Sequence, residues 1–264
     1  MNRMKRYALL GERLGHSLSV PVHQAIMDRT QVHGTYRLME IPAIEFTQTA
    51  SRLISLLDGF NVTIPFKETV IPLLDGLSPA ARAIGAVNTV VKGDAVTGHN
   101  TDYAGFIAML QHYGIDPRGQ RCYVLGSGGT SKTACAALRD MGAQTVTVVS
   151  RNPGEEQIGY GQLAEEFSGV LVNTTPAGML HRPDPCPIDP AVLPSVLARA
   201  KGVVDVIYNP PETLLTASAK AAGVSACTGL YMLVHQAVEA QALWQQRPLP
   251  QNLTHSLIKE LKLF

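Results

Sequence analysis

Short runs of β-branched and aliphatic residues alternate along this chain with longer stretches whose large apolar side chains recur every three or four positions. "RYALLG" reads as a strand and "SVPVHQAIMDRT" as a helix; "TYRLMEI" is again a strand, and "AIEFTQTASRLISLL" has helical spacing. "GFNVTIP" is a third strand, stopped by Pro65. A βαβαβ unit before residue 66 predicts an α/β domain with parallel strands. After the turn-rich "YGIDPRGQ" at 113–120 a second series begins, with "RCYVLG", "TVTVVS", "VLVNTT", "GVVDVIY" and "VSACTG" as strands separated by helices or loops. The helical stretch "YAGFIAMLQHYG" carries the chain from the first series into the second. Helices from about Tyr231 onward follow the completed second sheet and are expected to pack back on the first domain. "HRPDPCPIDPAVLP" at 181–194 reads as an ordered surface loop. The expectation is two open-sheet α/β domains, 1–103 completed by 236–264, and 104–235.

Composition narrows the function classes. At 264 residues the chain can bury a large core, and its formal net charge of +1 predicts no strong nucleic-acid or membrane field. The basic start "MNRMKRYALLGERLGHS" has an apolar run that stops at Glu12 and Arg13, too short for a secretory signal. No stretch approaches the roughly 20 apolar residues of a membrane span. The cysteines Cys122, Cys135, Cys186 and Cys227 form no C-x-x-C pair, and buried reduced thiols in a soluble cytoplasmic protein are expected. The eight histidines show no H-E-x-x-H or comparable spacing, so no metal is expected.

The most informative loop is "VLGSGGTSKT" at 124–133. As a nucleoside-triphosphate P-loop, or as the dinucleotide fingerprint G-x-G-x-x-G, it fails at the same residue, Ser131. Either way a strand from Arg121 to Leu125 enters a glycine turn and a helix whose N-terminus suits a phosphate. A P-loop needs glycine before its lysine and an aspartate on a second strand to hold magnesium, a place that Asp205 could take. The dinucleotide reading asks less. Gly126 makes the tight turn, Gly128 and Gly129 let the pyrophosphate approach, and the third glycine serves helix packing, where serine is a mild change. About twenty residues on, where an NAD site carries an acidic residue for the ribose, the strand ends in Ser150, Arg151 and Asn152. A guanidinium pairs with a 2′-phosphate, so NADP is favoured, although a solvated arginine would look the same.

Three stretches of the first domain carry polar residues suited to chemistry. "NVTIPFK" sets Asn61, Thr63 and Lys67 at the carboxyl end of a strand and the start of a helix, the edge where open α/β sheets bind ligands. "GAVNTV" puts the amide of Asn88 inside an apolar run, and "GHNTDYAGF" puts Asp102 at a helix start. Each has a structural alternative: Asn88 as a turn cap, Asp102 as an N-cap, Lys67 as a surface lysine.

Together with "GERLGHSLS", "AIGAVNTV", "GSGGTS", "NTTPAGM", "DVIYNPPETLL" and "GLYMLVHQA", these stretches resemble, in order, the signatures of the shikimate dehydrogenase family, from about residue 7 to 237. The resemblance implies a substrate domain and a Rossmann-like NADP-binding domain with a cleft between them. It implies NADPH-dependent reduction of 3-dehydroshikimate to shikimate, in aromatic amino-acid biosynthesis. By the same resemblance Ser17 and Ser19 hold the substrate carboxylate, and Asn61, Thr63, Asn88 and Gln236 frame the ring hydroxyls. Lys67 and Asp102 stand at the reacting oxygen, and Tyr208 closes the cleft. NADP(H) is assigned to Gly126, Ser127, Gly128, Gly129, Thr130, Ser150, Arg151, Asn152, Thr174, Thr175, Val206 and Gly229, and Asp205 becomes a structural turn residue. The implied partners are small molecules, with no nucleic acid or membrane, and a homodimer or monomer fits the family.

The sequence departs from the family at several places. Arg13 and Leu14 stand where Pro-Ile is usual, and Val20 precedes Pro21 where proline usually follows the second serine directly. Ser127 and Thr130 replace alanines, and the Asn-Arg-Thr phosphate clasp appears as Ser-Arg-Asn. The sister activity, a quinate/shikimate dehydrogenase using NAD, shares most of these residues. An NADP-binding sensor would lack a complete Lys67 and Asp102 pair.

Overall fold

The computed structural model describes residues 3–15, 17–180 and 182–261. The chain divides into two compact units, Met1–Gly105 with Leu233–Phe264, and Phe106–Met232.

In the first unit β1 (Lys5–Gly11), α1 (Ser19–Arg29), β2 (Gly34–Glu40), α2 (Phe46–Leu56) and β3 (Gly59–Val62) form the expected βαβαβ, with β1 parallel to both β2 and β3. A two-residue β4 (Gly76–Leu77), α3 (Pro79–Ile84), β5 (Thr89–Lys92) and β6 (Val96–His99) complete a six-stranded sheet in the order β2-β1-β3-β5-β6-β4. This sheet is mixed, because β5 is antiparallel to β3 and to β6. Only Gly93, Asp94 and Ala95 join β5 to β6, closed by a Gly93 N–H bond to the Ala95 carbonyl at 3.2 Å. A connection that short permits a hairpin, whereas a parallel pair needs a crossover of roughly a dozen residues.

The helix expected after Pro65 is replaced by turns and a short 3-10 segment, Ile71–Leu73. Pro65 and Pro72 offer no amide hydrogen, and the segment closes partly through three-residue bonds such as Phe66 N to Thr63 O and Leu73 N to Val70 O. Phe66 still reaches the core, stacked on Phe46 with centroids 3.9 Å apart. The short α3 is sharply bounded: the Ser78 hydroxyl accepts from Ala81 N at 3.2 Å, Pro79 follows, and Gly85 ends it at φ 72°. That stop delivers Ala86, Val87 and Asn88 directly into β5. The chain then leaves the unit within α4 (Thr101–His112).

The second unit contains β7 (Arg121–Leu125), α5 (Gly129–Asp140), β8 (Thr145–Val149), β9 (Gln157–Ile158), α6 (Tyr160–Glu166), β10 (Gly169–Asn173), α7 (Leu193–Leu197), β11 (Ala200–Asp205), α8 (Leu214–Ala221) and β12 (Ala226–Thr228). All six strands are parallel, in the order β12-β11-β10-β7-β8-β9. From the β9 edge this is the doubly wound order 3-2-1-4-5-6, with its switch point between β7 and β10. Both strands are covered on both faces, which explains their unbroken apolar runs: every residue of β10 is buried. The loop at 181–194 is largely exposed over its described residues, but Ile188 and Leu193 anchor it in the core.

The chain returns to the first unit within α9 (Leu230–Gln245), followed by α10 (Leu253–Leu261). Trp244 of α9 docks on the sheet, stacked on Tyr7 with centroids 4.5 Å apart, while its indole N–H donates to the Val90 carbonyl at 2.9 Å. The indole lies directly over Gly59, where a Cβ would stand 2.3 Å from the ring nitrogen. The ring is held on both faces and by its N–H, so it has little room to give way. Gly59→Ala should therefore destabilise the protein by about 2–3 kcal/mol, read from the shift in the urea midpoint. Gly76→Ala, where a Cβ meets nothing within 4 Å, should be neutral or stabilising by up to about 1 kcal/mol; equal losses at both glycines would refute the steric cause.

Candidate functional site

At the carboxyl ends of β1 and β3 the first unit gathers its polar residues. Lys67 lies in the turn after β3 and Asp102 in the first turn of α4, and the ammonium donates to Asp102 Oδ2 at 2.6 Å. Both side chains are 13 % exposed, so the pair is largely dry and still reachable. Asp102 is free for this contact because the helix start is served by Asn100, whose Oδ1 accepts from Tyr103 N at 3.2 Å. The N-cap alternative for Asp102 therefore falls. Lys67 is tied down through its backbone, its carbonyl accepting from Val87 N at 2.8 Å.

Around this pair runs a buried hydrogen-bonded frame. Asn88 Oδ1 accepts from Thr101 N at 2.7 Å and Asn88 Nδ2 donates to Thr101 Oγ1 at 3.0 Å. Thr101 Oγ1 also lies 3.4 Å from Gln236 Oε1, which brings α9 into the frame. Asn61 Nδ2 donates to the Asn88 carbonyl at 3.0 Å and to Thr89 Oγ1 at 2.9 Å, and its Oδ1 accepts from the Tyr36 hydroxyl at 2.7 Å. Both amide hydrogens of Asn61 are thus engaged inside the protein. Among the described residues Asn88 Nδ2 and Gln236 Nε2 each make one hydrogen bond, the latter to Leu233 O at 2.9 Å, leaving each a second hydrogen. Ser17 Oγ donates to Ser19 Oγ at 3.0 Å and accepts from Ser19 N at 3.2 Å. Thr63 is half-buried at the end of β3, its N–H bonded to Leu10 O at 2.9 Å.

Behind the frame His23 is fully buried, stacked on Tyr36 with centroids 3.9 Å apart. Burial lowers its pKa to about 3, so the ring is neutral. Gln241 Nε2 lies 3.2 Å from Nδ1, and because an amide nitrogen only donates, Nδ1 accepts and the ring proton sits on Nε2. Tyr36, Thr89 and Thr101 lie within sequence stretches of note, yet none declares itself, since tyrosine and threonine are ordinary strand and helix-cap residues.

The second unit builds its site at the switch point. Gly126 turns at φ 100°, its N–H bonded to Val149 O at 2.8 Å. A Cβ there would press on Thr174 Oγ1 at 3.0 Å and Thr175 Cγ2 at 3.1 Å. Thr174 ties the neighbouring strand end to this turn, its hydroxyl donating to Leu125 O at 2.6 Å. Gly128 is the N-cap of α5 with no side-chain cap bond, and a Cβ there would meet nothing within 4 Å. Open space before bare amide hydrogens at the start of a 12-residue helix suits a pyrophosphate. Ser127 is exposed, and Gly129 and Thr130 are half-buried beside it. Ser131, in the place of the third glycine, is 2 % exposed and packs into the helix interface as that position requires.

After β8, Ser150 Oγ and the backbone of Asn152 close a small turn at 3.2–3.3 Å, with Arg151 exposed upon it. Arg151 thus stands exposed just beyond the end of β8, the strand paired with the one that enters the glycine turn. Val206 and Gly229 meet at one point, where a Cβ on Gly229 would fall 2.0 Å from the Val206 carbonyl oxygen, and Tyr208 follows half-buried. Among the described residues no group of three or more His, Cys, Asp or Glu side chains is arranged to hold a metal, and no helix is long and apolar enough to cross a membrane.

Asp205 decides against the P-loop. It is fully buried, with Oδ1 accepting from Asn173 Nδ2 at 3.0 Å and Ile207 N at 3.1 Å, and Oδ2 accepting from Thr213 at 2.8 Å. Both oxygens are taken up by the turn after β11 and its neighbours.

Known proteins of similar sequence and fold place the chain in a family. A family model for the shikimate dehydrogenase substrate binding domain matches residues 9–90. The shikimate dehydrogenase (NADP(+)) of Clostridium perfringens is 36% identical, over 98% of this chain and 99% of its own. The chain belongs to the shikimate dehydrogenase family. Among solved structures of that family, the chorismate mutase/shikimate 5-dehydrogenase fusion protein of Clostridium acetobutylicum superposes with a TM-score of 0.92 at 35% identity, covering 98% of both chains. The shikimate 5-dehydrogenase of Thermus thermophilus, solved with NADP(H) and shikimate, gives 0.83 at 31% identity, covering 97% of this chain and 99% of that one. Within the family scaffold, Asp205 offers a direct test of its structural role. Burial raises its carboxyl from 3.8 to about 6, against the three hydrogen bonds that lower it. The folded state therefore binds the proton more tightly than the unfolded chain, and that stabilisation is present below about pH 4 and lost as pH rises towards 6. The stability of the wild type relative to Asp205→Asn should fall by on the order of 3 kcal/mol across that window and stay level above it, measured by urea unfolding at each pH. A flat difference would show that burial does not perturb this carboxyl.

Proposed function

We propose that this chain catalyses the reversible, NADPH-dependent reduction of 3-dehydroshikimate to shikimate, a step in aromatic amino-acid biosynthesis. The observation that carries the reading is the Lys67 ammonium held at 2.6 Å by Asp102 beside a frame of buried amides. The names of the relatives and the ligands of the Thermus thermophilus structure support it. The first unit takes the substrate and the second the nucleotide. Ser17 and Ser19 donate to the substrate carboxylate; Thr63, Asn88 and Gln236 meet the ring hydroxyls, with Asn61 holding Asn88 in place. The glycine turn 126–130 and Thr174 with Thr175 receive the pyrophosphate, Ser150, Arg151 and Asn152 the 2′-phosphate, and Val206 and Gly229 the nicotinamide end. Tyr208 belongs to the substrate set. The cytoplasm is the corresponding location, in keeping with four free cysteines, three of them buried.

Bound there, the nicotinamide nucleotide supplies or takes up a hydride. The residues of the chain manage the oxygen. As the ketone carbon is reduced, its oxygen gains negative charge, and the Lys67 ammonium offers both a positive charge and a proton to it. Asp102 holds the ammonium in one orientation, and when the alcohol is oxidised its proton returns to the Lys67 amine beside that carboxylate. Because both side chains are mostly shielded, water competes weakly for these contacts. The serine hydroxyls bind at a distance from the reacting carbon, and their contacts are equal in ground and transition states.

Lys67→Met should lower turnover by about 10²–10⁴ and change the shikimate KM far less, in steady-state oxidation of shikimate with NADP. Near-normal turnover of the folded variant would reduce Lys67 to a binding residue. Use of NAD with quinate in preference to NADP with shikimate would assign the sister activity. For the cofactor, Arg151→Ala should raise the NADP KM about ten- to a hundredfold, the loss of one charge-assisted contact, with NAD use nearly unchanged. Equal losses with both nucleotides would remove the 2′-phosphate assignment.

A further inference from the structure

We propose that Tyr36 is a positioning residue of this reaction, its hydroxyl fixing Asn61 and through it the amide frame. The proposal rests on the activity proposed above. Tyr36 is 4 % exposed on β2, which lies at the edge of its sheet. Its ring has one position available, stacked on His23 with an interplanar angle of 7° and bordered by Trp244 at 6.3 Å. From that clamp the hydroxyl donates to Asn61 Oδ1 at 2.7 Å.

The bonds beyond it run in one direction. Tyr36 donates to Asn61; Asn61 donates to Thr89, Thr89 to Asn88 Oδ1 at 3.0 Å, and Asn88 to Thr101. Each member fixes the hydrogen-bonding direction of the next, so the amides are held in one orientation. The chain takes in the amides at the ring, and the side chains of Lys67 and Asp102 lie outside it. Loss of the phenol oxygen therefore acts on how substrate is held. Stacking on His23 keeps the phenol in place against Asn61.

The test is Tyr36→Phe, which keeps the stack and removes the oxygen. Shikimate KM should rise about five- to twentyfold, with kcat within about threefold and NADP KM unchanged; a shikimate titration without nucleotide should show the same loss in Kd. Thr89→Val, which deletes another link at equal volume, should give the same split and serves if Tyr36→Phe does not fold. Shikimate KM and Kd within twofold of wild type in a folded variant would overturn the role of Tyr36. So would a parallel rise in both substrate KM values, the mark of general loosening. A wild type that neither turns over nor binds shikimate would instead overturn the activity, and the two failures are thereby distinguished.

Discussion

The reciprocal pair between Asn88 and Thr101 holds the first unit's chemistry together. An amide buried at 3 % exposure has no water to fall back on, and leaving it unpaired would cost about 1–3 kcal/mol. Thr101 meets that need with its N–H and its hydroxyl, and in doing so pins the start of α4 to the start of β5. Asp102 is the next residue along. Its carboxylate therefore arrives opposite Lys67 as a consequence of satisfying Asn88, and Asn100 takes over the capping that an aspartate at a helix start would otherwise do.

The same economy appears in the second unit, where one strand order creates the site. Because the chain leaves β7 towards β8 and β10 towards β11, the two strand ends separate and leave room at the switch point. Gly126 and Thr174 line opposite sides of it, bound to one another through the Leu125 carbonyl. Asp205 ends the strand beyond and is enclosed by Asn173, Ile207 and Thr213, so a residue that looks catalytic by type acts as a brace.

Local pattern misleads at two places, each for its own reason. The run after Pro65 has helical spacing of apolar residues, yet two prolines deny it the amide hydrogens a helix needs, and the apolar positions serve core packing from a chain of turns. The stretch around Asn88 reads as apolar with one exception, and its antiparallel direction follows from a three-residue connection that periodicity does not weigh.

By itself the sequence determined the alternation of strands and helices, the glycine turn before α5, and the residue types that carry the chemistry, among them Lys67, Asp102 and Arg151. These are local or compositional properties: apolar period, glycine at a positive φ, a cation where a phosphate is expected. The mixed order of the first sheet and the return of α9 over Gly59 were decided by the tertiary structure, since both depend on contacts between distant residues. So was the chain of hydroxyls and amides through Tyr36, Thr89 and Thr101. Tyrosine and threonine at those positions satisfy strand and cap preferences in any fold, and only the alignment of β2, β1, β3 and β5 in one sheet, with the start of α4 held at Asn88, brings their oxygens within hydrogen-bonding distance.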